Sequence, residues 1–258
     1  MKNLAHTPHP HLINLLATFN IGDNWSLILP LATCDLYTFW EIHDGPLMTS
    51  VSKAPTADLL WVATQITGLV SALTVIHNVG PAYSPGRPYG RHGDIKSDNI
   101  LCFPSPINSL GTLVLSDFGL SSSHKQNTDK REKTGEKTVA FTPAYRPPES
   151  DIESRLQGAS RRSDIWSFGC LLLEMACWIL GGKDALINFH SIRTVVSAAT
   201  GAASSVYFEV NKLEDTTHEF RVKKEVIEVS NRILYITNGF LDCGSLTDLS
   251  VYCNIASP

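Results

Sequence analysis

Apolar positions recur along this chain in two rhythms. Between Asp58 and His77, Leu59, Val62, Ile66, Leu69, Leu73 and Ile76 fall at steps of three and four, which gathers them on one face of an α-helix. Elsewhere the apolar stretches are short and rich in strand formers. Leu12–Phe19 and Trp25–Leu29 read as two strands joined by a turn at Gly22-Asp23-Asn24. Ile100–Phe103 and Leu113–Leu115 read as two more, flanking Pro104–Gly111. The longest apolar run, Ile165–Leu180, is interrupted by Glu174 and is short for a bilayer span, so it reads as a buried central helix. Phe220–Ile236 places Val222, Val226, Val229 and Ile233 at helical spacing. Gly80–Tyr89 is rich in Pro and Gly and predicts a loop. Ser121–Thr138 is polar and without apolar periodicity, and predicts a mobile loop.

Composition narrows the class without choosing the function. The chain has 258 residues, 43% hydrophobic and 18% charged, which is ordinary globular composition and enough for a sizeable core. A net charge of −4 argues against a nucleic-acid surface. Met1–Pro10 has no apolar stretch of the kind a signal peptide needs, and no membrane partner is expected. The six cysteines show no metal-ligand spacing and read as reduced thiols of an intracellular protein, cytoplasmic or nuclear.

Chemistry concentrates in one stretch. His92-Gly93-Asp94-Ile95-Lys96-Ser97-Asp98-Asn99 is followed, eighteen residues after Asn99, by Asp117-Phe118-Gly119. Asp94 can accept a proton from a hydroxyl, Lys96 can neutralise a phosphate, and Asn99 with Asp117 can hold Mg²⁺. This order suits phosphoryl transfer, which depends on positioning and charge neutralisation.

The stretch resembles the catalytic loop and metal-binding motif of a eukaryotic Ser/Thr protein kinase. Phe141-Thr142-Pro143-Ala144-Tyr145-Arg146-Pro147-Pro148-Glu149 looks like the end of a kinase activation segment. Ser163-Asp164-Ile165-Trp166-Ser167-Phe168-Gly169 resembles the start of the central helix of the kinase C-lobe. Small-molecule phosphotransferases of the aminoglycoside and choline type share the His-Gly-Asp loop. They lack the Pro-Glu anchor and the Ser-Asp-x-Trp-Ser-x-Gly start, both present here.

The resemblance implies an α+β fold, mainly α: a kinase-like C-lobe preceded by a remnant hairpin equivalent to the fourth and fifth strands of the N-lobe. Residues 1–258 would form one incomplete domain, with 1–29 the N-lobe remnant and 30–258 the hinge and C-lobe, the match weakening after 180. It implies ATP-dependent phosphorylation of serine or threonine on a protein substrate, with ATP and Mg²⁺. Asp94 would be the base, Lys96 the phosphate contact, and Thr142 the threonine that bonds both. Asn99 and Asp117 would bind metal. Leu29 would be the gatekeeper, Pro30-Leu31-Ala32 the hinge, Asp35–His43 a short helix after it, and Leu101 the floor under adenine. His92 and Phe118 would pack, Asp98 would be solvated or structural, and Asp164 would accept backbone N–H bonds from the catalytic loop. Phe220–Ile236 resembles a late C-lobe helix, Glu149 lacks an evident arginine partner, and Gly239–Pro258 matches nothing.

Two departures shape the expectation. Gly93 stands where regulated kinases have the arginine that reads activation-loop phosphate, so activity should depend little on phosphorylation of Ser121–Thr138. There is no Gly-x-Gly-x-x-Gly and no Val-Ala-x-Lys strand before the hairpin, and the αC glutamate would fall before Met1. Met1 then looks like an internal methionine. On this reading the hairpin 12–29 is a lone two-stranded pair with an exposed apolar edge, which favours self-association. The alternative function is a catalytically inactive pseudokinase or fragment acting as a binding module.

Overall fold

The computed structural model describes residues 8–22, 24–43, 45, 56–78, 90–117, 143–151, 161–196, 203–212 and 218–242. The expectations for the loop 80–89, Phe118, the segment 121–138 and Thr142 fall outside the described residues, as does the side chain of Glu149. The chain divides into two compact units. The first comprises Met1–Phe39, Thr56–Ala140 and Ser154–Ile165, and the second Trp40–Pro55, Phe141–Glu153 and Trp166–Pro258.

The first unit is built on helix α2 and a small sheet. Strands β1 (Ala17–Ile21) and β2 (Asn24–Ile28) form an antiparallel hairpin in which Ala17 opposes Ile28 and Ile21 opposes Asn24. Gly22 at φ 61 supplies the left-handed backbone its tight turn needs. Strands β3 (Cys34–Asp35), β4 (Ile100–Phe103) and β5 (Thr112–Leu115) make an antiparallel sheet in that order. Asp35 ends β3 and caps helix α1 (Leu36–Ile42): its Oδ1 accepts the Thr38 N–H at 2.7 Å.

Helix α2 (Thr56–His77) buries Val62, Leu69, Leu73 and Ile76, as the periodicity predicts, and adds Trp61, Gln65 and Ala72 to the same stripe. Two side chains fasten it to the sheet. Trp61 Nε1 donates to the Gly111 carbonyl at 2.7 Å, and Gln65 Oε1 accepts the Leu113 N–H at 2.9 Å. Leu113 and Ile100 are fully buried.

The first predicted strand is corrected at its start. Leu12 is not in the hairpin; it forms an isolated parallel bridge with Leu115, through Ile13 N–H to the Leu115 carbonyl and Leu115 N–H to the His11 carbonyl, both 2.9 Å. Burial decides this. Leu12 is buried beside β5, whereas every residue of β1 is exposed. The apolar hairpin edge is exposed as expected, with Trp25 at 73%.

In the second unit, helix α3 (Arg161–Arg193, whose first turn belongs to the first unit) runs through the predicted helix and beyond it. Gly182, at φ 64 and ψ −157, breaks it, so the predicted end at Leu180 coincides with a real interruption. Leu171, Met175, Trp178, Leu186 and Phe189 are buried. Two short pairs follow: β6 (Val195–Val196) with β7 (Ala203–Ser204), and β8 (Phe208–Lys212) with β9 (His218–Val222). Helix α4 (Lys224–Asp242) comes last. The expected helix at 220–236 is thus corrected: Phe220–Val222 belong to a strand. Glu219, Phe220, Arg221 and Val222 alternate polar and apolar, and pairing with β8 makes that period of two prevail. Val226 and Val229 are buried on α4.

Helices Asp58–His77 and Arg161–Arg193 are long and apolar enough by length and composition to cross a membrane, a test that the core helix of a soluble protein also passes. Of the most apolar 18-residue window, 39% is buried within the chain in the first and 50% in the second.

Candidate functional site

The loop His92–Asn99 leads into β4 and ends in a single 3₁₀ turn, Ser97–Asn99. Its backbone is held from one side by Asp164, which is buried at the start of α3. Asp164 Oδ2 accepts the His92 N–H and Oδ1 accepts the Gly93 N–H, both at 2.8 Å. His77 Nε2, at the end of α2, lies 2.7 Å from the same Oδ2. One carboxylate therefore satisfies two buried N–H groups that would otherwise cost about 1–3 kcal/mol each. Gly93 needs this support, because its φ of 93 is open to glycine and strained for other residues.

His92 is fully buried and holds the loop from the other side. Its Nε2 lies 2.8 Å from the Ser116 carbonyl, which can only accept, so Nε2 carries the proton. Nδ1 is then a lone pair, and it accepts the Asp94 N–H at 3.3 Å. Burial depresses the pKa of His92 despite the Ser116 carbonyl and the carboxylates of Asp164, Asp94 and Asp117, so the ring is neutral.

These supports gather three of the singled-out side chains. Lys96 Nζ lies 3.1 Å from Asp94 Oδ2. Asn99 Nδ2 donates to the Asp94 carbonyl at 2.7 Å and to Asp94 Oδ2 at 3.0 Å. Asp94 retains 12% side-chain exposure, enough for solvent or a ligand to reach it. Asp117 follows β5, with an exposed side chain and φ 59, a left-handed conformation uncommon outside glycine that aspartate adopts more readily than most side chains. Asp98 is exposed.

Asn99 and Asp117 are joined through Ser116, a residue the sequence reading missed. Ser116 N–H and Ser116 Oγ both donate to the Asn99 carbonyl at 2.9 Å. The amide oxygen of Asn99 and the carboxylate of Asp117 are hard oxygen donors. Such a pair suits Mg²⁺, which takes one or two carboxylates and completes its shell with phosphate and water. No group of three or more His, Cys, Asp or Glu side chains suited to a metal occurs among the described residues.

Of the residues assigned to adenine, Leu101 lies on the adjacent sheet. Leu101 on β4 pairs with Asp35 of β3 and Val114 of β5, and its side chain is half-buried. Thr33 N–H donates to the Cys102 carbonyl at 2.8 Å, which draws the 30–32 segment to β4. Ala32 is half-buried, Leu29 is exposed, and Leu31 is 95% exposed.

A second polar cluster, also missed, lies in the second unit. Glu174 is 1% exposed and takes hydrogen bonds from the Tyr145 hydroxyl at 2.5 Å, the Tyr207 hydroxyl at 2.8 Å and Arg193 Nη2 at 3.3 Å. His190 Nε2 lies 3.0 Å from it. The Arg193 guanidinium carbon stands 4.0 Å from the Tyr207 ring centre and 4.8 Å from that of Phe189. Burial would raise the Glu174 pKa; His190, Tyr145 and Arg193 together outweigh it and hold the carboxyl below its ordinary value. The available signal was the glutamate itself, since a carboxylate inside an apolar run must find partners.

Comparison with known proteins gives a family. The model of the protein kinase domain matches residues 1–212. The chain is 29% identical over 175 residues to mitogen-activated protein kinase kinase kinase ANP1 of Arabidopsis thaliana, covering 68% of this chain and 22% of that protein. It is 26% identical over 227 residues to serine/threonine-protein kinase pakC of Dictyostelium discoideum, covering 87% of this chain and 40% of that protein. Mitogen-activated protein kinase kinase kinase 2 of Arabidopsis thaliana is 26% identical over 194 residues, 74% of this chain and 25% of that protein. The chain thus spans well under two thirds of the length of these relatives.

Proposed function

The chain belongs to the protein kinase domain family, and from that premise we propose that it transfers the terminal phosphoryl group of ATP to a serine or threonine hydroxyl of a protein substrate. The observation that carries this reading is the cluster of Asp94, Lys96 and Asn99 on a loop whose backbone is fixed by Asp164 and His92. Asp94 orients the substrate hydroxyl and takes its proton at a carboxylate oxygen. Lys96, already 3.1 Å from that carboxylate, carries positive charge to the phosphoryl group in transfer. Asn99 fixes the Asp94 carboxylate through Nδ2 and keeps its amide oxygen for a cation.

Asn99 and Asp117 are the residues that would hold Mg²⁺, which when bound neutralises charge on the phosphates. Leu101, with Leu29, Leu31 and Ala32, would supply the apolar contacts to adenine. Lysine two residues after the aspartate favours serine and threonine over tyrosine as acceptors, and Thr142 would bond Asp94 and Lys96 in that form. The substrate protein is a partner by this reading.

The test is phosphotransfer from labelled ATP to a generic protein acceptor by the purified chain, with Asp94→Asn beside it. Loss of the base should lower the rate about 10²–10⁴-fold. Equal incorporation by the two proteins would remove the enzymatic reading.

A further inference from the structure

Cys34 and Cys102 are directly opposed across the antiparallel pair β3–β4. Opposed residues in such pairs have Cα atoms about 4.5–5.5 Å apart, inside the window of about 4.4–6.8 Å that a disulfide spans. Each thiol is near enough to the other to shift its ionisation. Cys34 is half-exposed and Cys102 buried, so one sulfur can meet a solute and the other can only meet its neighbour. Cys102 Sγ is bounded by the Leu110 carbonyl at 3.4 Å and by Gly111, where a Cβ would come within 3.0 Å of it. Strand β3 is two residues long and lies at the sheet edge, so it can adjust to a cross-link.

We propose that Cys34 and Cys102 are a site of reversible oxidation, closing a disulfide between β3 and β4 when a peroxide reaches the sheet. The Cys34 thiolate attacks one peroxide oxygen; an S–O bond forms, the O–O bond breaks, and the leaving oxygen departs as water after protonation. The Cys102 thiolate then attacks the Cys34 sulfur; the S–S bond forms, the S–O bond breaks, and a second water leaves. Two thiols are oxidised and one peroxide is reduced to two waters.

Burial, helped by the Asp35 charge, raises the Cys34 pKa, and burial raises that of Cys102 to about 11. Both groups rest as thiols near neutral pH, so the pair is slow to oxidise there and quickens as pH rises. The bond would tie the backbone two residues after Ala32 to the backbone next to Leu101. Its formation does not depend on those residues binding a nucleotide.

The experiment treats the full chain with hydrogen peroxide and maps its peptides by mass spectrometry without reduction. The expected product joins the peptides of Cys34 and Cys102, is lighter by two hydrogen atoms, and is reversed by dithiothreitol. It should form roughly tenfold or more faster at about pH 9 than at about pH 7, because only thiolates react. The oxidised chain should melt on the order of 5 °C higher. Cys102→Ser should leave a Cys34 sulfenic acid that dimedone traps, and Cys34→Ser should leave Cys102 unmodified. Oxidation of wild-type Cys34 to sulfinic acid without a cross-link, or a bond from Cys34 to another cysteine, would overturn the proposal. The wild-type map decides it even if a variant fails to fold.

Discussion

Ser116 gives both its N–H and its hydroxyl to the carbonyl of Asn99, each at 2.9 Å. One residue thereby links the backbones of the two residues assigned to the metal, since Asp117 follows it directly. Ser116→Ala keeps the backbone bond and loses the hydroxyl bond, at a cost of about 0.5–1.5 kcal/mol. The expected result is a slightly lower urea midpoint and a several-fold weaker Mg²⁺-dependent binding of a fluorescent ATP analogue. Unchanged Mg²⁺ dependence would show that the bond is structural only.

The neutral tautomer of His92 sets a pH limit. Its folded pKa lies below the ordinary 6.5, so the unfolded chain binds that proton first as pH falls. The stability linked to His92 is complete above about 6.5 and declines below it. Protonation at Nδ1 would also confront the Asp94 N–H. Melting temperatures should fall between about pH 7 and pH 5. His9, also depressed by burial and by His11, contributes in the same direction. His92→Gln should flatten part of the decline, and parallel profiles for variant and wild type would contradict the assignment.

Glu174 predicts a second, more acidic window. Its folded pKa is below 4.5, so its stabilisation is present above that value and lost as pH falls through the lower folded value. Glu174→Gln leaves Arg193 buried without its counter-charge, which should cost about 3–5 kcal/mol at neutral pH. Chemical denaturation of the two proteins at neutral pH and near pH 3.5 measures both effects. The gap between them should narrow in acid.

Gly93→Ala tests the strained loop. A side chain at φ 93 should cost about 1–3 kcal/mol. The loss would appear as a lower melting temperature and weaker phosphotransfer together, because the same turn carries Asp94. An alanine variant as stable as wild type would show that the backbone has another accessible conformation.

What could be read from the sequence divides by distance along the chain. The buried face of α2 was legible because its apolar residues repeat locally. Trp61 and Gln65 on that face were not, because their partners, Gly111 and Leu113, lie about fifty residues away. Leu12 has strand composition, but its pairing with Leu115 is settled by burial that no local pattern records. Val222 fits the helical spacing of Val226, Val229 and Ile233 by coincidence, and with Phe220 an alternating one by pairing. The Asp94–Lys96–Asn99 group was legible since its members are neighbours in sequence. Ser116 was silent because its role lies in what its backbone and hydroxyl reach. Glu174 stood out as a carboxylate in an apolar run, yet its partners come from three separate places in the chain: Tyr145, the end of α3 with His190 and Arg193, and Tyr207.

The carboxylate that fixes the backbone of His92 and Gly93 is encoded 72 and 71 residues downstream of them. A chain growing at about 5–20 residues per second would carry its Asp94 loop for roughly 4 to 14 seconds before Asp164 is joined to it. During synthesis the loop bearing the reactive groups therefore exists before the means of holding it. Its ordering is a late event of assembly, dependent on the start of a helix made long after the loop itself.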